Sequence, residues 1–381
     1  MHVGILFSAG NANFHAKTWS EAMTESEEVV VQDLDEVEEL IEFTYAITAY
    51  GADYPVDSLV KRMKSHDILV PSFDREPDLE SDIVGFQREY VWTRTKADRF
   101  IESLLLGLPV PGIFLVKEAS GRLLVLDGHQ RLHTLQAYYE GVISGREYRL
   151  ANVQKRFVDR RYADLDVEDR RRLDDSIIHA TIVRQDEPSD DQSSVYMIFE
   201  RLNTGGASLQ PQEIRVALYH GQLVTVLTGL NKNDDWRKLY GGRSKRLKDM
   251  ELILRFFAFF FFADNYRPPM KDFLNRYMAG NRQLDRQPAE RLRKVFEGTI
   301  GLISKAIGVA AFRPKRAVNA AVVDSLMVGV ARRLDAGPVI DMEGFKRQWE
   351  QLMRDDEYAS ATETGTSQER NVVTSAARHK F

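Results

Sequence analysis

Apolar residues recur along this chain with a period of 3.6 or of 2, and the switches between the two divide it. From Leu34 to Ile47, Val37, Leu40, Ile41, Phe43 and Tyr45 predict an amphipathic helix with Asp33 or Asp35 near its start. A second helix, about Val56 to His66, places Leu59, Val60 and Met63 on one face, and Ile68–Pro71 reads as a short strand. Ser72–Asp82 is acidic and contains proline, which predicts a loop. Phe86–Trp92 is an aromatic-rich extended run. Thr93 or Thr95 can cap the helix that follows, which carries Ala97, Phe100, Ile101, Leu104 and Leu105 and stops at Gly107. Next come a strand at Ile113–Lys117, a turn at Ala119–Arg122 and an antiparallel strand at Leu123–Leu126. The helix after Gly128 ends near Glu140, with Gly141 as its stop.

Between Tyr148 and Gln185 the pattern gives an extended piece, a charged helix at Val167–Asp174 and a strand at Ile177–Arg184. After a polar break at Asp186–Ser193, a helix over Val195–Leu202 runs into Asn203-Thr204-Gly205-Gly206. Pro211 then opens a helix bearing Glu213 and Arg215. Beyond Leu223 the helical period dominates, at Met250–Ala263, Met270–Met278, Glu290–Ile307, Ala317–Leu334 and Gly344–Arg354. The expected class is α+β, with a small mixed sheet followed by a mostly helical half. The expected divisions are an extension (1–55), an α+β domain (56–222), a helical domain (223–355) and a mobile tail (356–381) rich in Ser, Thr, Glu and Gly.

Composition narrows the chemistry. With 43% hydrophobic and 29% charged residues the chain reads as an ordinary globular protein, and a net charge of -5 argues against indiscriminate coating of nucleic acid. The absence of cysteine excludes disulfides, cysteine-ligated zinc and a thiol nucleophile, and makes the cytoplasm the expected compartment. Met1–Ala22 lacks the basic and long apolar regions of a signal peptide. The run Phe256–Ala263, flanked by Arg255 and Asp264, is too short to cross a bilayer and predicts a buried helix.

The stretch Leu123–Leu135 is where chemistry is expected. A strand running into Gly128 and then into a helix N-terminus is an anion site: unpaired N–H groups and the helix dipole favour negative charge, and Arg131 can fork onto phosphate oxygens. Asp127 is placed to hold a metal ion or a water. A structural reading stands beside this one, in which Asp127 caps the helix and pairs with Arg131 four residues on. Arg88, beside Gln87 on an extended run, can reach a phosphate, or the rings around it can simply anchor the segment. Asn203-Thr204-Gly205-Gly206 suits phosphate or ribose as well as it suits a helix cap. His129 and His133 have the spacing of a two-histidine metal site without the intervening Glu or a third ligand. No Gly-x-Ser-x-Gly elbow appears. Arg156–Arg161 and Arg170–Arg172 read as solvated faces. Arg243, Lys245 and Arg246, with Lys315 and Arg316, combine dense charge with turn residues that could lie against a DNA backbone.

Three motifs in one order carry a family resemblance: Phe86-Gln87-Arg88 with Tyr90-Val91-Trp92, Asp127-Gly128-His129-Gln130-Arg131-Leu132, and Phe199–Gly206 with Leu209, Glu213 and Ile214. Together they resemble the N-terminal domain of GmrSD-type, modification-dependent restriction endonucleases over about Val56 to His220. The resemblance implies a ParB/sulfiredoxin-like fold and nucleotide binding or hydrolysis coupled to DNA cleavage in anti-phage defence. Carried onto this chain, Asp127, Gly128, Gln130 and Arg131 form the phosphate site, Gln87 and Arg88 face it, and Asn203 and Thr204 close it. The chain departs from the family where His129 stands for a usual Gln, His133 for a small hydroxyl residue and Glu89 for a Pro. His129 is thereby a candidate acid or base.

The leading expectation is a protein that binds a nucleoside triphosphate with Mg²⁺ and hydrolyses it to control DNA recognition or cleavage, with Asp127, His129 and Arg131 catalytic and Asp127 on the metal. Two alternatives are a non-catalytic module that brings a separate nuclease to DNA and a ParB-like nicking nuclease. Expected partners are DNA, a partner nuclease or defence-system subunit, and a second copy of the chain, without a membrane.

Overall fold

The computed structural model describes residues 31–32, 46–70, 92–118, 120–187, 193–202 and 210–363. The loop at Ser72–Asp82, the run Phe86–Val91, the corner Asn203–Gly206 and nearly all of the helix expected from Leu34 to Ile47 lie outside them.

In chain order the first elements are β1 (Val31–Gln32), β2 (Ala46–Pro55), α1 (Val56–Lys64), β3 (Ile68–Leu69), α2 (Arg94–Leu105), β4 (Ile113–Lys117), β5 (Leu123–Asp127) and α3 (His129–Glu140). A small hairpin follows, β6 (Val142–Ile143) and β7 (Arg146–Glu147), then α4 (Val167–Asp175) and β8 (Ile177–Glu187). Helices make up nearly all of the rest: α5 (Ser193–Leu202), α6 (Pro211–Leu218), α7 (Gln222–Leu230), α8 (Asp234–Tyr240), α9 (Lys248–Phe262), α10 (Met270–Gly280) and α11 (Ala289–Ala306). The two-residue β9 (Val318–Asn319) pairs with β1, and α12 (Ala320–Asp335), α13 (Met342–Leu352) and α14 (Asp356–Glu363) end the described chain.

The main sheet is mixed and runs β2-β8-β4-β5-β3. β4 lies parallel to β8 and antiparallel to β5, and β2 lies antiparallel to β8 over its whole length. Its residue alternation explains why β5 is apolar up to Asp127. Leu123 and Val125 join Ile113, Leu115, Ile178 and Ile182 on the face covered by α1 to α4, whereas Leu124 and Leu126 join Val116 and Val183 on the opposite face. That second face is covered by α5 and α6, through Val195, Phe199 and Ile214. From there one core continues to Phe256 and Phe257 on α9, so the change of composition near Leu223 is not a gap in packing. The phenylalanine run is the buried helix its length predicts, and Arg255 within it pairs with Asp324 of α12 at 2.6 Å. Among the described residues no helix is long and apolar enough to cross a membrane.

Two expected boundaries are corrected. The sheet already begins at Ala46, not after Val56, because Ile47, Tyr50 and Tyr54 are residues of a strand that the eleven-residue β8 pairs in full. The tail from 356 is ordered through α14: the Tyr358 hydroxyl meets Ser325 Oγ at 2.7 Å, and the Asn319 amide donates to the Thr362 carbonyl at 3.1 Å.

A polar joint ties the sheet to the helical layer. Arg282, just after α10, donates to the Glu118 carboxylate at 3.2 Å, to the His220 carbonyl at 2.6 Å and to His220 Nε2 at 2.9 Å. His220 Nδ1 lies 3.1 Å from the Ala217 carbonyl, so the neutral ring with its proton on Nδ1 satisfies both partners. Burial, and then the Arg282 charge, hold the His220 pKa below its ordinary value, against the opposing pull of Glu118.

Two outcomes follow. Gly128 has φ of 99°, and a Cβ there would collide with Ile113, so Gly128→Ala is expected to lower unfolding free energy by about 1–3 kcal/mol in urea titrations. For His220, the unfolded chain takes up a proton near pH 6.5 while the folded chain resists it. Stability is therefore present above about pH 6.5 and falls as pH drops below it. The wild-type urea midpoint should fall more steeply over that range than that of His220→Gln, and equal slopes would refute the assignment.

Candidate functional site

The strand, turn and helix expected from the sequence are all present. β5 ends at Asp127, opposite Phe114 of β4, and Gly128 turns the chain in the left-handed region to become the N-cap of α3. A glycine N-cap offers no side chain to accept the first-turn N–H groups, so that end of α3 keeps its preference for an anion. Arg131 lies one turn in. Its Nη2 donates to Asp127 Oδ2 at 2.8 Å and to the Gly112 carbonyl at 2.9 Å. The Arg131 side chain is 14% exposed and that of Asp127 49%, so the pair forms a wall of the site with its carboxylate turned partly to solvent. The i, i+4 pairing of the structural reading is thus real, while Asp127 itself is not the cap.

Gln130 reaches the other way. Its Oε1 accepts the Trp92 N–H at 3.3 Å, fastening the first turn of α3 to the residue at which the Phe86–Trp92 run is described. Gln87 and Arg88, and likewise Asn203 and Thr204, lie outside the described residues. His129 and His133 sit partly buried on α3, and among the described residues no group of three or more His, Asp or Glu side chains is placed to hold a metal ion.

The same end of the sheet brings together residues that linear reading missed. Asp53 on β2 lies directly opposite His179 on β8, and His179 Nδ1 hydrogen-bonds Asp53 Oδ1. Gly112, leading into β4, backs onto the His179 backbone so closely that a Cβ there would stand 2.8 Å from the His179 carbonyl oxygen. Asp53 and His179 are thus level with the start of β4, where Gly112 stands, and Asp127 lies two positions further along, level with Phe114 and Thr181. Asp53 and His179 are 126 positions apart, and no local pattern marks their meeting.

The basic stretches separate by environment. Those at Arg156–Arg161 and Arg170–Arg172 engage nearby acids, Arg161 with Asp164 at 2.8 Å and Arg172 with Glu168 at 3.2 Å. Farther along, the two turn-rich clusters converge at the end of α8. Arg313 donates to the Leu239 and Tyr240 carbonyls immediately before the loop that carries Arg243, Lys245 and Arg246. Beneath that loop the buried Asp249 carboxylate accepts from Ser244 N–H at 3.2 Å, from Asn231 at 3.0 Å and from Arg237 at 3.0 Å. Burial lowers the pKa values of Arg237 and Arg313 from their usual range. On this frame Arg243, Lys245, Lys315 and Arg316 are exposed. Arg246 differs, because it pairs with Glu213 at the N-terminus of α6 at 3.1 Å.

No curated protein and no solved structure matches this chain. Residues 63–220 match the family described as GmrSD restriction endonuclease, N-terminal domain. The matched stretch starts on α1, includes β4, β5 and α3 with the Asp127–Arg131 site, and closes at the His220 joint. The segment from 63 to 220 is thus similar to the GmrSD restriction endonuclease N-terminal domain family, and this is the segment that holds the strand–turn–helix site.

Proposed function

We propose that this restriction-family protein binds a nucleoside triphosphate at the N-terminus of α3 and hydrolyses it to control engagement of DNA in anti-phage defence. The observation that carries the reading is the N-terminus of α3, whose glycine N-cap supplies no side-chain hydrogen bond, beside the half-exposed Asp127 and the guanidinium of Arg131. Phosphate oxygens would take the first-turn N–H groups and share Arg131 beside Gln130, and the family resemblance adds Gln87, Arg88, Asn203 and Thr204 as further candidate ligands. His129, on the first turn of α3, is a candidate acid or base beside the phosphates. Asp127 suits Mg²⁺ in the manner usual for that ion, which takes one or two protein carboxylates and completes its shell with phosphate oxygens and water. When bound, the ion would supply neutralisation of phosphate charge.

DNA would be met by the exposed cations at the end of α8. Four charges on two loops fixed to one another make a pre-organised surface for backbone phosphates, and such contacts position a duplex without reading its sequence. The fixed pairing of Arg131 with Asp127 and Gly112 favours one second reading, a module that binds nucleotide or partner without turnover.

Phosphate release from each common nucleoside triphosphate with Mg²⁺, with and without DNA, separates the two. Asp127→Ala and Arg131→Ala should each lower turnover by about a hundredfold, the scale of losing one charge-stabilising group. Equal binding and hydrolysis by the double variant would overturn the assignment. Replacing Arg243, Lys245, Lys315 and Arg316 by Ala should weaken duplex binding alike for all sequences. It should also flatten the plot of log affinity against log salt by roughly 0.9 for each DNA phosphate that is no longer neutralised, whereas an unchanged salt slope would place the DNA elsewhere.

A further inference from the structure

We propose that His179 and Asp53 form a proton-transfer pair serving the phosphate site, with His179 as the base that takes a proton from the attacking water and Asp53 as its positioning residue. The proposal rests on the hydrolase reading above and adds to it a base from outside the family's sequence motifs. Three observations carry it. First, Asp53 and His179 are register partners on neighbouring strands, and the carboxylate holds Nδ1, which fixes the tautomer and leaves Nε2 as the basic nitrogen. Second, both side chains are largely exposed, 62% for Asp53 and 74% for His179. A hydrogen-bonded pair so solvated contributes little to stability, and its basic nitrogen is open to water and ligand.

Third, Gly112 joins the pair to the phosphate site. A Cβ at position 112 would stand 3.6 Å from His179 Cβ, while the Gly112 carbonyl accepts Arg131 Nη2 at 2.9 Å. The backbone and Cβ of His179 and the guanidinium of Arg131 therefore border the same glycine. β5 and β8 are separated only by β4, so their axes lie about 10 Å apart at two strand spacings. A polyphosphate anchored at α3 and extended across the end of β4 brings its terminal phosphorus toward His179.

In the step itself, the water oxygen bonds to the terminal phosphorus while His179 Nε2 takes one of its protons. The bond from phosphorus to the bridging oxygen breaks, and its electron pair leaves on the nucleoside diphosphate. The imidazolium, neutralised by Asp53, then returns its proton to solvent. Among the described residues, the charged groups linked to His179 are Asp53 on β2, by a hydrogen bond, and, through Gly112, Arg131 with Asp127.

The test uses the full chain with Mg·ATP and Mg·GTP, measuring steady-state phosphate release and nucleotide dissociation constants. His179→Gln should lower kcat by about a hundredfold, the scale of general-base catalysis, with the dissociation constant and the melting curve unchanged. Added imidazole should restore part of the activity of His179→Ala. Asp53→Asn should lower kcat less than His179→Gln, again with unchanged binding. Undiminished turnover by His179→Gln in an active wild type would overturn this pair alone, as would a loss of kcat matched by an equal loss of binding. A wild-type chain that releases no phosphate from any nucleotide overturns the hydrolase reading and this proposal with it.

Discussion

The structure depends on one constraint: the central strands of the mixed sheet are buried on both faces. β5 is a run of four aliphatic residues before Asp127 because Leu123 and Val125 face one layer of helices while Leu124 and Leu126 face the other. A strand covered on one face alone would alternate with polar residues. Everything chemical is placed by the end of that strand. Where the apolar run stops, the first polar side chain is Asp127. The turn needs a left-handed residue, which Gly128 supplies, and the helix that follows must begin at the sheet's edge. The site is a by-product of ending a fully buried strand beside a helix N-terminus.

Most of the secondary structure was legible because period and punctuation agree over long stretches. Thr93 caps α2, Gly141 ends α3 and Pro211 opens α6 as their residue types require. β2 escaped because its start was absorbed into a helical pattern and its alternation is weak: Ala, Gly and Asp separate Ile47, Tyr50 and Tyr54, and the strand is specified by its long partner β8. α14 escaped because small and polar residues dominate it. What fixes it is the buried pair Tyr358 and Thr362.

The site divides along the same line. Asp127, Gly128, Gln130 and Arg131 lie within five consecutive positions, so local rules place them and their pairing. Asp53 and His179 come from strands far apart in sequence, and only the order of the sheet makes them neighbours of Gly112. Within the basic loops, charge density was visible in sequence but its deployment was not. Arg246 and Arg313 are held by Glu213 and by the last carbonyls of α8, whereas their neighbours remain on the surface.

The joint at Glu118, His220 and Arg282 separates two ideas that are often treated as one. The family resemblance stops at residue 220, yet the last residue of that span has its ring and its carbonyl held by an arginine sixty-two positions further on. Beyond that contact, the α5 and α6 layer that roofs the second face of the sheet shares one core with helices past the boundary. The unit of inheritance is therefore smaller than the unit of folding. A fusion or excision designed at 220 would cut through a continuous interior, and any helical segment that evolution joins to this domain must bring its own cover for the apolar residues that α5 and α6 turn away from the sheet.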